Sequence, residues 1–307
     1  MRLKSKILGL MFLLLCFSCI EEPTQKSTAK KSTASNSGPC LEHIQNNKVN
    51  NLNISVLLDL SDRIEDNKVI SKDSAYLASI SEAYLDHVKS KKLIFLEDRL
   101  KLYFNPEPSN KKINEIAHEL EVTFTKDSPQ AEIQNTFEKY NSLPSTLYSY
   151  AQADAIEKQG YPGSDIWRFF KDHVNDYCIS SCHRNILIIL TDGYMYYDQT
   201  VMREKNRTSY LTPKYTKTLP LNSSDWKAKM ENGDYGFIPA SEGLEDLEVL
   251  VLGLDTKNPS NPYELDVLNA YWENWFKQMG IKKYKIKSTD IPSSVDKVIK
   301  DFLINAS

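Results

Sequence analysis

The sequence predicts an α/β fold, built on a doubly wound, mostly parallel sheet with helices on both of its faces. Two almost wholly apolar runs, at 54–58 and 186–190, are typical of parallel strands that are buried on both faces. Apolar residues recur at helical spacing over 71–90 and 166–177. Strands that alternate with helices favour right-handed crossovers, which place helices on both faces of one sheet.

The other elements follow from the same rules of spacing. Alternating apolar residues predict a strand over 99–104, and 121–125 is a shorter candidate for the edge of the sheet. A helix over 129–157 is expected to be interrupted at Pro144. Nearer the carboxyl terminus, the pattern predicts a strand, a helix, a strand and a helix, in that order, over 247–252, 264–279, 281–286 and 293–303.

Composition limits the classes of function. The chain has 307 residues and a net charge of -3, with no dominant basic patch, so nucleic acid is not expected as a partner. The folded part is long enough for one sizeable domain with a full core. No second cysteine pair accompanies Cys178 and Cys182, so a local disulfide or two free thiols is expected there rather than a metal site.

The amino terminus has the layout of a secretory signal over residues 1–18. Basic residues precede an apolar run that is too short for a comfortable transmembrane helix. A small residue directly before Cys19 resembles the end of a bacterial lipoprotein signal, with Cys19 as the lipidated first residue of the mature chain. The position three residues before it holds Cys16, where such signals usually have Leu. An ordinary cleaved signal peptide with an incidental cysteine is the alternative.

Residues 19–49 are expected to form a disordered tether. The stretch is rich in Ser, Thr, Lys and Asn, and it cannot bury enough apolar surface to offset its ordering entropy. With a lipid anchor, the chain would be attached to a membrane of the bacterial envelope, on the periplasmic side or at the outer-membrane surface.

Polar residues follow the two apolar strands at the point where each strand ends. Asp59 and Ser61 come directly after the first strand, and Asp192 lies in a Thr-Asp-Gly turn after the second. Because ligands of open α/β sheets bind at the carboxyl ends of parallel strands, these oxygens are expected to point to one place. Ser164 precedes the helix that leads into the second strand and is a candidate third member, with Thr146 as its rival. For a single motif of this kind, an aspartate that only caps the next turn is the simpler interpretation.

These motifs resemble those of the von Willebrand factor A family over residues 50–305, with departures near 126–160 and 194–245. The resemblance implies a metal-ion-dependent adhesion site that binds a protein partner through Mg²⁺, or through Mn²⁺ or Ca²⁺. The residues that match its ligands are Asp59, Ser61, Ser164 and Asp192. The physical logic agrees, because hydroxyl and carboxylate oxygens suit a hard cation that keeps some water ligands.

Arg63 departs from the family pattern, which has a hydroxyl at this position. Arginine offers no acceptor and is always charged. Pointing inward, it is expected to repel a cation and to pair with Asp59 or Asp192. Pointing outward, it costs the site one ligand, which water can replace.

The expected function is therefore that of an envelope lipoprotein that presents a binding domain, and not that of an enzyme. The 194–245 stretch lacks periodicity and begins after Asp192, so it is expected to lie over the same edge of the sheet and to shape the binding surface. One alternative is a metal-free scaffold of an envelope complex. Another is a metal-assisted hydrolase, for which Asp62, Asp165 and Asp198 are the candidate bases.

Overall fold

Six strands form the central sheet of the protein, whose computed structural model describes residues 51–288 and 292–304. All of these residues belong to one compact unit. The strands in chain order are β1 (Leu52–Leu58), β2 (Glu97–Tyr103), β3 (Val122–Thr125), β4 (Arg184–Leu190), β5 (Arg203–Glu204), β6 (Arg207–Thr208), β7 (Gly236–Phe237), β8 (Leu247–Leu254) and β9 (Lys283–Ser288).

The central sheet has the order β3-β2-β1-β4-β8-β9, and β5, β6 and β7 form a separate small sheet. Every pair of neighbours in the central sheet is parallel except β2 and β3, so the antiparallel strand lies at the edge. The strand order reverses between β1 and β4. In open α/β sheets this reversal leaves a crevice at the carboxyl ends of the two strands.

Helices connect the strands. They are α1 (Asn67–Lys89), α2 (Lys111–Leu120), α3 (Gln130–Glu157), α4 (166–178, with a π-helical turn at Phe169–His173), α5 (Pro213–Thr216), α6 (Trp226–Gly233), α7 (Glu264–Gln278) and α8 (Pro292–Ile304). Short 3-10 turns lie at Asp62–Glu65, Leu93–Phe95 and Asp198–Thr200.

The core is divided into two layers by the sheet. Along β4, Ile186 and Ile188 pack with α1, α2, α3 and α8, whereas Leu187 and Ile189 pack with α4, α6 and α7 on the other face. This alternation follows from the period of two along a strand. The predicted α/β class, with a mostly parallel sheet flanked by helices, is therefore confirmed.

Two elements differ from the expectations. The interruption of α3 at Pro144 is wrong, because the helix continues through this buried proline. Buried neighbours such as Tyr140 and Tyr148 on the same helix offset the lost hydrogen bond by packing against the core. The helix α2 was not expected. The 194–245 stretch is ordered, and Leu211 and Phe237 within it belong to the second core layer.

The signal peptide of 1–18, the lipidated Cys19 and the tether of 19–49 lie outside the described residues. Within the described ranges, no helix is both long enough and apolar enough to cross a membrane. Both alternatives for this cysteine pair, a local disulfide and two free thiols, are wrong, because Cys182 is disulfide-bonded whereas Cys178 is a buried free thiol. Burial raises the pKa of the Cys178 thiol to about 12, which keeps it protonated and unreactive.

Candidate functional site

A cavity of about 720 Å³ opens at the carboxyl end of the sheet, beside the crevice between β1 and β4. Ser61, Ser164 and Asp192 all line it. The fold thus brings together three of the four residues expected at a site, and the fourth, Asp59, lies buried next to them. The rest of the lining combines aromatic, acidic and basic side chains, among them Tyr161, Tyr194, Tyr196, Asp62, Glu65 and Lys257.

Asp59 joins the ends of the two central strands. Its Oδ2 atom accepts a hydrogen bond of 2.7 Å from Oγ1 of Thr191, and its Oδ1 atom accepts one of 3.0 Å from the backbone N–H of Ser61. The second bond is a turn cap of the kind that the simpler interpretation expects. The first bond crosses between strands, so Asp59 does more than cap its own turn. Each oxygen accepts one bond and keeps lone-pair capacity for another partner.

Asp192 carries a charge that the protein balances only in part. Its Oδ1 atom accepts a hydrogen bond of 3.1 Å from the backbone N–H of Tyr194, again as a turn cap. Burial, and then the negative charge of Asp59, raise the pKa of Asp192 to about 6 against the opposing effect of Arg63 and Lys257. Two buried carboxylates in one place favour the uptake of a proton or a cation.

Ser164 is held at the cavity by backbone contacts. Its N–H donates a 2.8 Å hydrogen bond to the carbonyl oxygen of Tyr196. The preceding Gly163 has a φ of +84°, and a Cβ there would lie 2.5 Å from the same carbonyl oxygen, so this close approach requires glycine. The Ser164 hydroxyl is buried and finds no hydrogen-bond partner among the described residues. A buried polar atom of this kind calls for an explanation, such as an ion or water that completes it.

Arg63 adopts neither of the two expected orientations. Its guanidinium forms a two-pronged ion pair with Asp73 of α1, at 2.7 and 3.1 Å, and its Nη1 atom donates to the backbone carbonyl of Asp59 at 3.3 Å. Tyr148 of α3 donates a 2.8 Å hydrogen bond to the same Asp73 carboxylate. The expected pairing of Arg63 with the carboxylate of Asp59 or Asp192 is therefore wrong.

The buried ion pair keeps Arg63 charged. Burial opposes the charged form, but the adjacent Asp73 outweighs it and raises the pKa of Arg63 above its ordinary value. Gly253 on β8 lies beside this side chain with a φ of +103°, and a Cβ there would lie 3.0 Å from the carbonyl oxygen of Thr191, so this backbone conformation favours glycine. The positive charge of Arg63 is thus paired with Asp73. Asp59 and Asp192 therefore have less nearby positive charge than the sequence suggested.

Lys257 is a site residue that sequence reasoning missed. Its Nζ atom lies 3.6 Å from Oδ2 of Asp192 and 3.4 Å from Oδ2 of Asp255, and its side chain is 38% exposed. The available signal was its position shortly after β8, which ends at the same edge of the sheet. An exposed lysine at these distances contributes weakly and is free to move away.

The remaining candidates are the rival ligand and the three candidate bases, which lie outside the site, at its rim or in structural roles. Thr146, the rival of Ser164, lies on the exposed face of α3. Asp165 is buried as the cap of α4, where it accepts bonds from the N–H of Arg168 at 3.1 Å and from Thr200 at 2.6 Å. Asp62 is exposed at the rim of the cavity, and Asp198 is exposed in a 3-10 turn.

The donors at the site suit a hard cation. Among the described residues, no cluster of three or more His, Cys, Asp or Glu side chains could hold a metal ion. The site instead offers two carboxylates and two serine hydroxyls, and one of those hydroxyls lacks a partner. Oxygen ligands of mixed charge, with room for water, fit Mg²⁺ or Mn²⁺ better than a softer metal.

Comparisons with known proteins give no family. No family model matches the chain, and no curated protein matches it. Among solved structures, the chain is similar to the open conformation of the pilus adhesin SpaC from Lactobacillus rhamnosus GG, with 11% identity and a TM-score of 0.36. The match covers 82% of this chain and 29% of the adhesin, so the chain spans less than a third of that protein. A likeness at this TM-score supports no inference about function.

Proposed function

We propose that this chain presents a domain like those of the von Willebrand factor A family, which binds a protein partner through a divalent cation. The cation would be held at the carboxyl end of the sheet by the oxygens of Asp59, Ser61, Ser164 and Asp192. The observation that carries this proposal is the meeting of two buried carboxylates, Asp59 and Asp192, with the unpartnered hydroxyl of Ser164 at one end of the sheet.

The arrangement of the sheet supports the family resemblance. The two aspartates follow β1 and β4, the strands between which the strand order reverses. Ser164 reaches the same cavity from the loop before α4, as the resemblance implies. Three loops that are distant in sequence thus bring oxygens to one point, which an isolated turn cap does not require.

A cation would relieve two electrostatic defects at once. It would offset the repulsion between Asp59 and Asp192, and it would give the buried hydroxyl of Ser164 a partner. The position of Arg63 leaves space for this, because its guanidinium is engaged by Asp73. Water would take the place of the hydroxyl that the family has at position 63.

A binding role accounts for the surroundings of the site better than a catalytic one. Asp165 caps a helix with both of its oxygens engaged, and Asp198 lies exposed beside Tyr196. Neither of these two is placed as a general base for a bound substrate, and the third candidate, Asp62, is exposed at the rim of the cavity. Tyr161, Tyr194 and Tyr196 line the cavity, and aromatic side chains of this kind supply much of the binding energy at protein interfaces.

The proposed setting is the bacterial envelope, with Cys19 as the lipid anchor of the mature chain. This part of the proposal rests on the sequence of residues 1–19 alone. Mass spectrometry of the protein purified from membranes tests it directly. A mature amino terminus at an acylated Cys19 is the expected result, and an unmodified amino terminus elsewhere would contradict it.

Capture of a partner from solubilised membranes by the full chain tests the binding role. We expect one protein to be retained with Mg²⁺ or Mn²⁺, and to be lost with chelator and with Asp192→Asn. Asp255→Asn is the matched control, because Asp255 contacts Lys257 at the same edge and does not line the cavity of about 720 Å³ that Asp192 lines. Loss of the partner in the control as well, or retention in Asp192→Asn, would contradict the proposed site.

A second candidate is a metal-free scaffold, which the contact between Lys257 and Asp192 favours. In that case the lysine ammonium takes the place of the cation. Partner capture would then be unchanged by chelator, and Lys257→Met would weaken it. The two candidates therefore predict different effects of Lys257→Met. The variant should weaken partner capture if the protein is a metal-free scaffold, and it should strengthen cation binding if the site holds a metal.

A further inference from the structure

An exposed apolar turn lies at the opposite end of the sheet from the cavity. The 3-10 turn Leu93–Phe95 connects α1 with β2, and the side chains of Leu93 and Ile94 are 56% and 69% exposed. Adjacent large aliphatic side chains that project into water at the tip of a turn form a small contiguous apolar patch, and such patches mark interaction surfaces when they are extensive.

The base of this turn is firmly fixed. Leu96 is buried directly after it, and its backbone N–H donates to the carbonyl oxygen of Leu93 at 3.0 Å. On the other side, Nζ of Lys91 forms a 2.5 Å ion pair with the buried Asp98. The exposure of Leu93 and Ile94 is therefore held in place by the fold and is not the fraying of a loose loop.

Two exposed lysines precede the apolar tip in the chain, and the exposed Glu97 follows it. Lys89 and Lys92 are both exposed, one on either side of the paired Lys91. A rigid apolar tip preceded by exposed lysines has the chemistry of a surface that enters the interface of an anionic bilayer, where acyl chains accept aliphatic groups and headgroups attract ammonium groups.

The start of the described chain lies at the same end of the molecule. Asn51 precedes β1, and its Oδ1 atom accepts a 3.5 Å hydrogen bond from Lys91. The residues that lead to the proposed anchor at Cys19 therefore join the fold next to the apolar turn. An anchored chain has a high effective concentration at the membrane, so even a weak contact would be occupied.

From these observations we propose that Leu93, Ile94, Lys89 and Lys92 dock the domain on an anionic phospholipid surface. The proposal rests on the membrane anchor of the proposed function. Docking by this end would hold the domain upright, with the cavity at the carboxyl end of the sheet directed away from the membrane and open to a partner.

Fluorescence quenching by brominated lipids tests the docking in the full chain, purified from membranes and placed in vesicles. The four native tryptophans are buried and give the same background in every variant. Ile94→Trp places a probe at the apolar tip. Ile156→Trp is the matched control, because Ile156 is 79% exposed near the end of α3 that leads to the cavity.

We expect Ile94→Trp to be quenched at least about twofold more than Ile156→Trp in vesicles with brominated phosphatidylglycerol. The difference should shrink in phosphatidylcholine vesicles and when Lys89→Gln and Lys92→Gln are added. Equal quenching of the two tryptophan variants would overturn the docking.

Sedimentation of the same vesicles separates the two claims. If the protein does not sediment with them, both the anchor and the docking fail. If it sediments but the two variants are quenched equally, only the docking fails. Partner capture at the other end of the sheet is measured independently of both.

Discussion

The two ends of the central sheet each bury an acidic group, and they treat it in opposite ways. At the amino end, Asp98 accepts a 2.8 Å hydrogen bond from the N–H of Leu52 and pairs with Lys91 at 2.5 Å and His87 at 3.3 Å. Burial acts to raise its pKa, but His87 and Lys91 outweigh burial and lower the pKa. At the carboxyl end, the pKa of Asp192 is raised to about 6.

This difference separates a stabilising cluster from a site. At the amino end the charged groups pair with one another, so the carboxylate of Asp98 is stabilised by the fold. At the carboxyl end, burial and the charge of Asp59 disfavour the ionised form of Asp192. This lowers the stability of the fold unless a ligand is bound. Conflicts of this kind are expected at functional positions.

The largest effect is expected for Arg63→Met, which leaves Asp73 buried without its partner. Removing one member of a buried ion pair costs about 3–5 kcal/mol of the free energy of unfolding. Urea denaturation measures this loss. The double variant Arg63→Met/Asp73→Asn should recover most of it, since it removes the second charge and keeps an acceptor for Tyr148. A loss below about 1 kcal/mol in the single variant would show that the pair does not form.

Comparison of Asp98→Asn with Asp192→Asn tests the contrast between the two ends. The first variant leaves Lys91 unpaired and should lower the free energy of unfolding by about 2–4 kcal/mol. The second relieves repulsion from Asp59 and should be neutral or stabilising without divalent cations. Equal destabilisation of the two variants would remove the distinction between stabilising cluster and site.

The pH dependence of stability should carry the signature of Asp192. Its pKa in the folded state, about 6, lies above the ordinary value of 3.8, so the folded protein holds this proton more tightly. The stabilising contribution is complete below about pH 4 and is lost as the pH rises through 6, by up to about 3 kcal/mol.

Asp192→Asn should flatten most of that slope when denaturation is measured in chelator between pH 4 and 7. A smaller slope should remain. Burial raises the pKa of Asp165. Burial of Glu248 is outweighed by Arg184 and Lys283, which lower its pKa, so the two carboxylates act with opposite sign. An unchanged slope in Asp192→Asn would place the effect on other groups.

The smallest change in stability is expected for Ser164→Ala. Removing a buried hydroxyl without a partner should raise the free energy of unfolding by about 1 kcal/mol in the absence of metal. The same variant should weaken cation binding, because one oxygen ligand is lost. If Ser164→Ala stabilises the protein without changing its affinity for the cation, Ser164 is not a cation ligand and contributes to packing alone.

The sequence anticipated the elements that follow from periodicity, and it missed those that depend on a distant partner. The buried strands and the positions of Asp59 and Asp192 after them could be read directly from the apolar runs. The helix α2 could also have been found, because Ile113, Ala117 and Leu120 recur at helical spacing after the capping residue Asn110.

The orientation of Arg63 could not be predicted in this way. Its partner Asp73 lies two turns into α1, and Tyr148, which completes the group, lies on another helix. Packing of α3 against α1 brings Arg63, Asp73 and Tyr148 together, and the local spacing of residues in the sequence does not indicate this contact. For the same reason, the continuous helix through Pro144 depends on tertiary packing that overrides a strong local signal.

Calorimetric titration of the full chain with Mn²⁺ at neutral pH tests the central claim most directly. We expect one binding event, weakened at least about tenfold by Asp192→Asn and strengthened by Lys257→Met, which removes the competing ammonium group. Asp255→Asn should leave it nearly unchanged. An absence of heat from the folded protein, or the same affinity in Asp192→Asn, would contradict a cation site at the carboxyl end of the sheet.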